Sequence, residues 1–97
     1  MKADLNEAFE EFYKVAHDDP RFGTVHISLY MALFYQWSKE NGREEISILR
    51  NGMMRAAKIQ SRSTYYQCLH QLQDFGYIKY HPSSNPAISS KVFLRII

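Results

Sequence analysis

The apolar residues at the start of the chain recur at helical spacing. Four of them share one helical face, with charged residues between them: Leu5, Phe9, Phe12 and Ala16. This spacing predicts an amphipathic first helix. The following segment, HDDPRFGT, ends it, because Pro20 cannot occupy a helix interior and Gly23 frees the backbone.

A second helix is predicted for the segment VHISLYMALFYQWSKEN, with Thr24 as its N-cap and Gly42 just past its C-terminus. Its apolar residues fall on nearly every face: Ile27, Leu29, Tyr30, Met31, Leu33, Phe34, Tyr35 and Trp37. One small domain is not expected to cover such a helix completely, so we expect a two-fold homodimer formed through the N-terminal helices, with Phe9, Phe12 and Tyr13 contributing.

The second half of the chain alternates short strands with short helices. The β-branched run ISI predicts a small strand, and LRNGMMRAAKI predicts a short helix with Met53, Met54 and Ala57 facing inward. Ser61 is a suitable N-cap for the helix RSTYYQCLHQLQDF, which Gly76 ends. Two strand-like segments, YIKY and KVFLRII, are joined by the loop HPSSNPAISS and predict a hairpin.

The helix after Ser61 has two different faces. Tyr65, Leu69, Leu72 and Phe75 form its predicted buried row. Polar and aromatic side chains cover the remainder: Arg62, Ser63, Tyr66, Gln67, His70 and Gln71. Such a face is either ordinary solvated surface or a binding surface.

Charge is divided unevenly along the chain. Residues 1–42 contain four basic and seven acidic residues, a net charge of −3, whereas residues 43–97 contain eight basic and three acidic residues, a net charge of +5. This asymmetry favours a polyanionic partner for the C-terminal half.

The order of predicted elements, together with IQSRSTYYQCLHQLQDFGYIKY, resembles the winged helix-turn-helix domains of bacterial transcription regulators. The residues that carry the resemblance are Ser61, Arg62, Ser63, Thr64, Leu69, Leu72, Gly76, Tyr77 and Ile78. The whole chain also resembles short winged-helix proteins associated with mobile elements. The expected fold is therefore α+β, mainly α with a small β-hairpin, in one domain: residues 1–42 form an N-terminal helical, dimerising part and residues 46–97 the winged helix.

The resemblance implies a protein that binds double-stranded DNA, with helix 61–75 in the major groove and the segment 77–97 as the wing. The expected contacts on this basis are Arg55, Lys58, Ser61, Arg62, Ser63, Thr64, Tyr66, Gln67, His70, Lys79 and Lys91. Gln67 suits bidentate pairing with adenine, and Arg62 suits guanine or phosphate. The alternative is a winged helix that binds other proteins in a replication or mobile-element complex.

Other functions find little support in the sequence. No combination of nucleophile, base and orienting acid is recognisable, and no glycine-rich phosphate loop occurs, so we expect no enzyme, no cofactor and no small-molecule ligand. The four histidines are scattered, which argues against a metal site. Cys68 is the single cysteine and is expected to serve packing. No signal peptide or membrane span is recognisable, so we expect a cytoplasmic protein.

Overall fold

The computed structural model describes residues 5–40, 45–85 and 88–95. Within them the chain folds as an α+β domain with four helices and one three-stranded antiparallel sheet. The elements in chain order are α1 (Leu5–His17), α2 (Thr24–Lys39), β1 (Glu45–Ile48), α3 (Arg50–Ala57), α4 (Arg62–Asp74), β2 (Ile78–His81) and β3 (Ser90–Leu94). These elements match the order expected from the sequence.

The sheet has the strand order β1-β3-β2, so the last strand lies between the other two. Val92 pairs with Ile46 on one side and with Tyr80 on the other. Because side chains alternate across a strand, one face of the sheet is apolar and buried. Its residues are Ile46, Ile48, Ile78, Tyr80, Val92 and Leu94. This inner face packs against the helices, and the opposite face carries polar side chains together with Phe93.

Helix α2 is the centre of the core. Leu29, Leu33 and Trp37 are fully or almost fully buried, and α2 contacts α3, α4 and the sheet. The domain itself therefore covers most of a helix that the sequence suggested would need a partner. Ile27 and Tyr35 are the large apolar side chains of α2 that stay exposed.

The start of α2 differs from the prediction. Thr24 is the first helical residue, and the N-cap position belongs to Gly23. Gly23 has no side chain to cap the helix; the ring of His26 instead accepts a hydrogen bond from the Gly23 amide at 2.9 Å, which satisfies that amide but does not supply the missing side-chain cap. The Thr24 prediction was wrong because the helix begins one residue earlier than expected, so that Thr24 is its first residue. The expected C-terminal Gly42 lies outside the described residues.

The backbone at the two ends of α3 and at the start of α4 accounts for the short turn between these helices. Leu49 occupies the N-cap of α3 without a side-chain hydrogen bond. At the other end Lys58 adopts a left-handed conformation, with φ of 62°, and the Ile59 amide donates to the Met54 carbonyl at 2.9 Å. Ser61 then caps α4 by accepting from the Thr64 amide at 3.3 Å, which confirms the sequence prediction.

The loop between α1 and α2 is held to the end of α4. Asp19 accepts two hydrogen bonds from the Arg21 guanidinium, at 2.9 and 2.8 Å, and one from the Tyr77 hydroxyl at 2.9 Å. The Arg21 guanidinium lies 4.3 Å from the centre of the Phe75 ring. Its hydrogen bonds hold the pKa of the Asp19 carboxyl well below its usual range. The loop is thereby fixed although it contains little secondary structure.

None of the helices in the described residues has the length and apolar character that a membrane span needs.

Candidate nucleic-acid interface

The outward side of α4 is one continuous exposed ridge. Ser63, Gln67, His70 and Asp74 are all exposed, and their spacing of four, three and four residues places them on one face. The opposite face contains Tyr65, Cys68, Leu69 and Leu72, each no more than 1% exposed. The helix is therefore anchored along one side and open to solvent along the other. We call the four exposed residues the α4 ridge.

The N-terminal turn of α4 is also open to solvent. Ser61 is used as the cap, and its hydroxyl shares a hydrogen bond with the Ser63 hydroxyl at 2.9 Å. The amides of Arg62 and Ser63 form no hydrogen bond within the described part of the chain. These free amides and the helix dipole favour an anion at this end of the helix. The Arg62 side chain is exposed beside them and adds a full positive charge.

A groove runs beside the ridge, between the start of α3 and the loop that joins β2 to β3. It has a volume of about 630 Å³ and contains the side chains of Tyr66 and Tyr80. Its polar and basic lining residues are Arg50, Asn51, Arg55, Ser83, Ser84, Asn85 and Ser90. The groove thus extends the polar surface of α4 toward the predicted wing.

Arg50 belongs to this surface and was missed by the sequence analysis. Ile48 of β1 pairs with Ser90 of β3, and Arg50 follows Ile48 by two residues. The loop that joins β2 to β3 leads directly into Ser90, so the strand pairing brings Arg50 to this loop. The signal was not visible in the sequence because it depends on β3 inserting between β1 and β2.

Within the described part of the chain, the basic residues around the ridge have no acidic partners. Among the described residues from Glu45 to Arg95, seven are basic and two are acidic. The ion pairs found in the described chain all lie between residues 11 and 21. Arg55, Lys58 and Arg62 are exposed and unpaired, so their positive charge is not neutralised within the described part of the domain.

The two tyrosines of α4 have different environments, as predicted. Tyr65 is buried, and burial raises its pKa above the usual tyrosine range. Tyr66 is half-buried, with its ring centre 5.2 Å from that of Tyr65, and it faces the groove. The exposed His70 ring contacts Tyr80 at 5.6 Å between ring centres. Tyr66 and His70 are therefore supported by neighbouring rings while remaining accessible.

Gln71 does not belong to the exposed face on which the sequence placed it. Its Oε1 accepts a hydrogen bond from His26 Nε2 at 2.7 Å, and His26 is only 8% exposed. Because Nδ1 of the same ring accepts from the Gly23 amide, Nε2 carries the ring proton and donates to Gln71. Gln71 thus joins α4 to the start of α2.

Lys79 and Lys91 are not brought to the α4 side. Lys79 is exposed between the buried residues Ile78 and Tyr80, so it lies on the outer face of the sheet. Lys91 lies on the same outer face, where its Nζ donates to the Ser47 hydroxyl at 2.7 Å. The remaining predicted contacts lie on α3, on α4 or in the turn between them.

The buried thiol of Cys68 donates a weak hydrogen bond to the Val25 carbonyl at 3.5 Å, and burial raises its pKa to about 11. Cys68 is therefore a packing residue, as the sequence indicated. No group of three or more His, Cys, Asp or Glu side chains capable of holding a metal occurs in the described ranges.

No protein-family model, no curated protein and no solved structure matches this chain.

Proposed function

We propose that this chain is a winged helix-turn-helix domain. In this assignment α3 and α4 form the helix-turn-helix, and β2, β3 and their connecting loop form the wing. Three features support it: the element order, the placement of β1 between α2 and α3, and the strand order β1-β3-β2. The left-handed Lys58 supports it as well, because it reverses the chain within a short turn between the two helices.

The proposed function is the binding of duplex DNA, with α4 in the major groove. The observation that carries it is the α4 ridge, which is exposed along its length and begins at a basic, open helix end. The major groove is about 12 Å wide and accepts one α-helix. A helix entering by its N-terminal end brings Ser63 and Gln67 to base edges, and the Gln67 amide suits adenine.

Positive charge around the ridge supplies the phosphate contacts in this proposal. Arg62 lies at the open end of α4, Lys58 in the preceding turn, and Arg50 and Arg55 along α3 beside the groove. Contacts of this kind position a protein on DNA without reading sequence. The domain would serve as a transcription regulator or as an accessory factor of a mobile element or replication system.

A protein-binding winged helix is the second candidate. It is favoured by two exposed apolar side chains at the groove, Leu49 and Ile88, which are 56% and 58% exposed. Neither is needed for a phosphate contact. A protein partner would bury them, and its binding would depend weakly on salt.

Two measurements decide between DNA binding and protein binding. Bound duplexes are first selected from a random pool, and the selected site is then titrated at several salt concentrations. If Arg50, Arg55, Lys58 and Arg62 each neutralise one phosphate, log affinity should fall with log salt at a slope of about −3 to −4. A slope near zero, or no enrichment of any duplex, would refute DNA binding. Leu49→Ser should leave duplex affinity unchanged and serves as the matched control.

We also propose that the domain forms a two-fold homodimer through α1 and α2. Leu5, Phe9 and Tyr13 are exposed at spacings of four residues along α1, and Phe9 contacts Phe34 of α2 with ring centres 6.1 Å apart. On α2, Ile27 and Tyr35 are exposed, and Ile27 lies seven residues before Phe34, on the same helical face. Phe12 takes no part, since its ring stacks on Tyr30 at 3.9 Å inside the domain. A dimer would present two α4 helices to two half-sites.

A further inference from the structure

The outer face of the sheet, which points away from the helices, combines aromatic and basic side chains. Cross-strand pairing places Lys79 beside Phe93, and His81 beside Lys91. Phe93 also pairs with Glu45 of β1, and Lys91 with Ser47. The duplex-binding proposal uses none of these residues. We call Lys79, His81, Lys91 and Phe93 the outer sheet patch.

The two rings of the patch are in contact. The ring centres of His81 and Phe93 lie 5.5 Å apart, with an angle of 80° between the ring planes. His81 is exposed and Phe93 is half-buried. Aromatic rings on an open sheet face provide flat surfaces on which unpaired bases stack. Bases within a duplex are stacked on each other and do not offer this contact.

The charges around the rings favour an anionic ligand. Lys79 is exposed and forms no ion pair within the described chain, and Lys91 bonds only to the neutral Ser47 hydroxyl. Arg95 follows β3 and donates to the Gly76 carbonyl, so it also keeps its charge. Glu45, on the edge strand β1, is the single carboxylate that β1, β2 and β3 place on this face. The patch is therefore positive around its rings.

We propose that the outer sheet patch binds single-stranded nucleic acid, with His81 and Phe93 stacking against bases and Lys79 and Lys91 contacting the backbone. Residues two apart on a strand, such as Lys91 and Phe93, are about 6.6–6.8 Å apart, so a charge and a ring alternate along β3. The neighbouring strand repeats the pattern with Lys79 and His81. This inference does not rest on duplex binding by α4, because it concerns a different surface.

The proposal is tested by titrating the full chain at low salt with a labelled oligothymidylate. A length of about 12 nucleotides is suitable, because known single-strand sites span roughly 4–16 nucleotides. Amide chemical shifts recorded during the titration should change at the outer sheet patch and not along the α4 ridge. His81→Ala and Phe93→Leu should each weaken binding about fivefold or more, because stacking contributes about 1–3 kcal/mol per base. Neither change should alter duplex affinity.

Gln67→Ala is the reciprocal control, since it should leave oligothymidylate binding unchanged. Three results would overturn the proposal. The first is no oligothymidylate binding at low salt, and the second is amide chemical-shift changes confined to α4. The third is wild-type affinity in His81→Ala and Phe93→Leu, with affinity lost only in Lys79→Ala. The last result would show a purely electrostatic surface. If Phe93→Leu lowers thermal stability, the exposed His81→Ala decides the outcome alone.

Discussion

Two glutamines on α4, four residues apart, give a matched test of whether the ridge binds DNA. Gln67 is exposed and forms no hydrogen bond within the described part of the domain, whereas Gln71 accepts from His26 at 2.7 Å. Alanine at either position removes the same side-chain atoms from the same helix. The two variants should nevertheless fail in different assays.

Gln71→Ala should lower stability. It leaves the Nε2 proton of His26 without its partner in a ring that is 8% exposed. An unsatisfied buried donor costs about 1–3 kcal/mol. For a domain of 97 residues each kcal/mol lowers Tm by about 4–8 °C. Duplex affinity measured below the melting temperature should remain close to that of the wild type, because Gln71 does not line the groove beside the α4 ridge.

Gln67→Ala should do the opposite. Its free energy of unfolding should stay within about 0.5 kcal/mol of the wild type, since an exposed side chain without partners is removed. Loss of a bidentate contact to adenine should cost about 1–3 kcal/mol of binding, which is about 5- to 150-fold in Kd, and should relax preference at one base pair. Thermal melts and selected-sequence binding measure both quantities. Wild-type affinity and wild-type preference in Gln67→Ala would refute the proposed role of the ridge.

Three further predictions concern the turn, the loop and the N-terminal helices. Lys58→Gly should raise stability by about 0.5–1 kcal/mol, because relief of about 1–2 kcal/mol of left-handed strain exceeds the added chain entropy of glycine. The same change should flatten the salt dependence of duplex binding by about one unit, and an unchanged slope would exclude a phosphate contact. Asp19→Asn should lower Tm at neutral pH. Because the pKa of the Asp19 carboxyl is lower in the folded than in the unfolded protein, wild-type stability should decline as pH falls below about 4. Melts recorded at several pH values should show that the variant lacks this decline. Sedimentation at micromolar concentration should show a dimer that Tyr13→Glu with Tyr35→Glu converts to a monomer, and a wild-type monomer at high concentration would contradict the homodimer.

Local signals in the sequence predicted the elements well. The buried residues Tyr65, Leu69 and Leu72 of α4, its Ser61 cap and the two strands of the hairpin follow from apolar spacing, one capping residue and a proline- and serine-rich loop. Phe75, predicted for the same buried row, follows the end of α4 and is half-buried. Each signal acts within a few residues, so it is readable without the fold. The buried Tyr65 and the accessible Tyr66 were separated by the same reasoning.

Features that depend on tertiary contacts were not readable in this way. The hydrogen bond that holds Gly23 at the start of α2 is accepted by His26, whose other nitrogen bonds to a residue 45 positions away. Arg50 reaches the loop between β2 and β3 through the pairing of β1 with β3. Lys79 and Lys91 flank the loop in sequence, yet strand alternation directs both to the outer sheet face. For His26 and Arg50 the deciding neighbour is far away along the chain, whereas for the two lysines it is the packing of the opposite sheet face against the helices.

The three glutamines of α4 differ in their contacts with the rest of the fold. Gln71 bonds to His26 of α2, and Gln73 Oε1 accepts from the Tyr80 amide of β2 at 2.7 Å. The helix is thus tied on one flank to α2 and on the other to the sheet, in addition to its buried row. Rigid placement of this kind lowers the entropy lost when a ligand is bound. Gln67 lies on the helix surface between these two anchors and has no partner in the described domain, so it is the glutamine that is available for the proposed base contact.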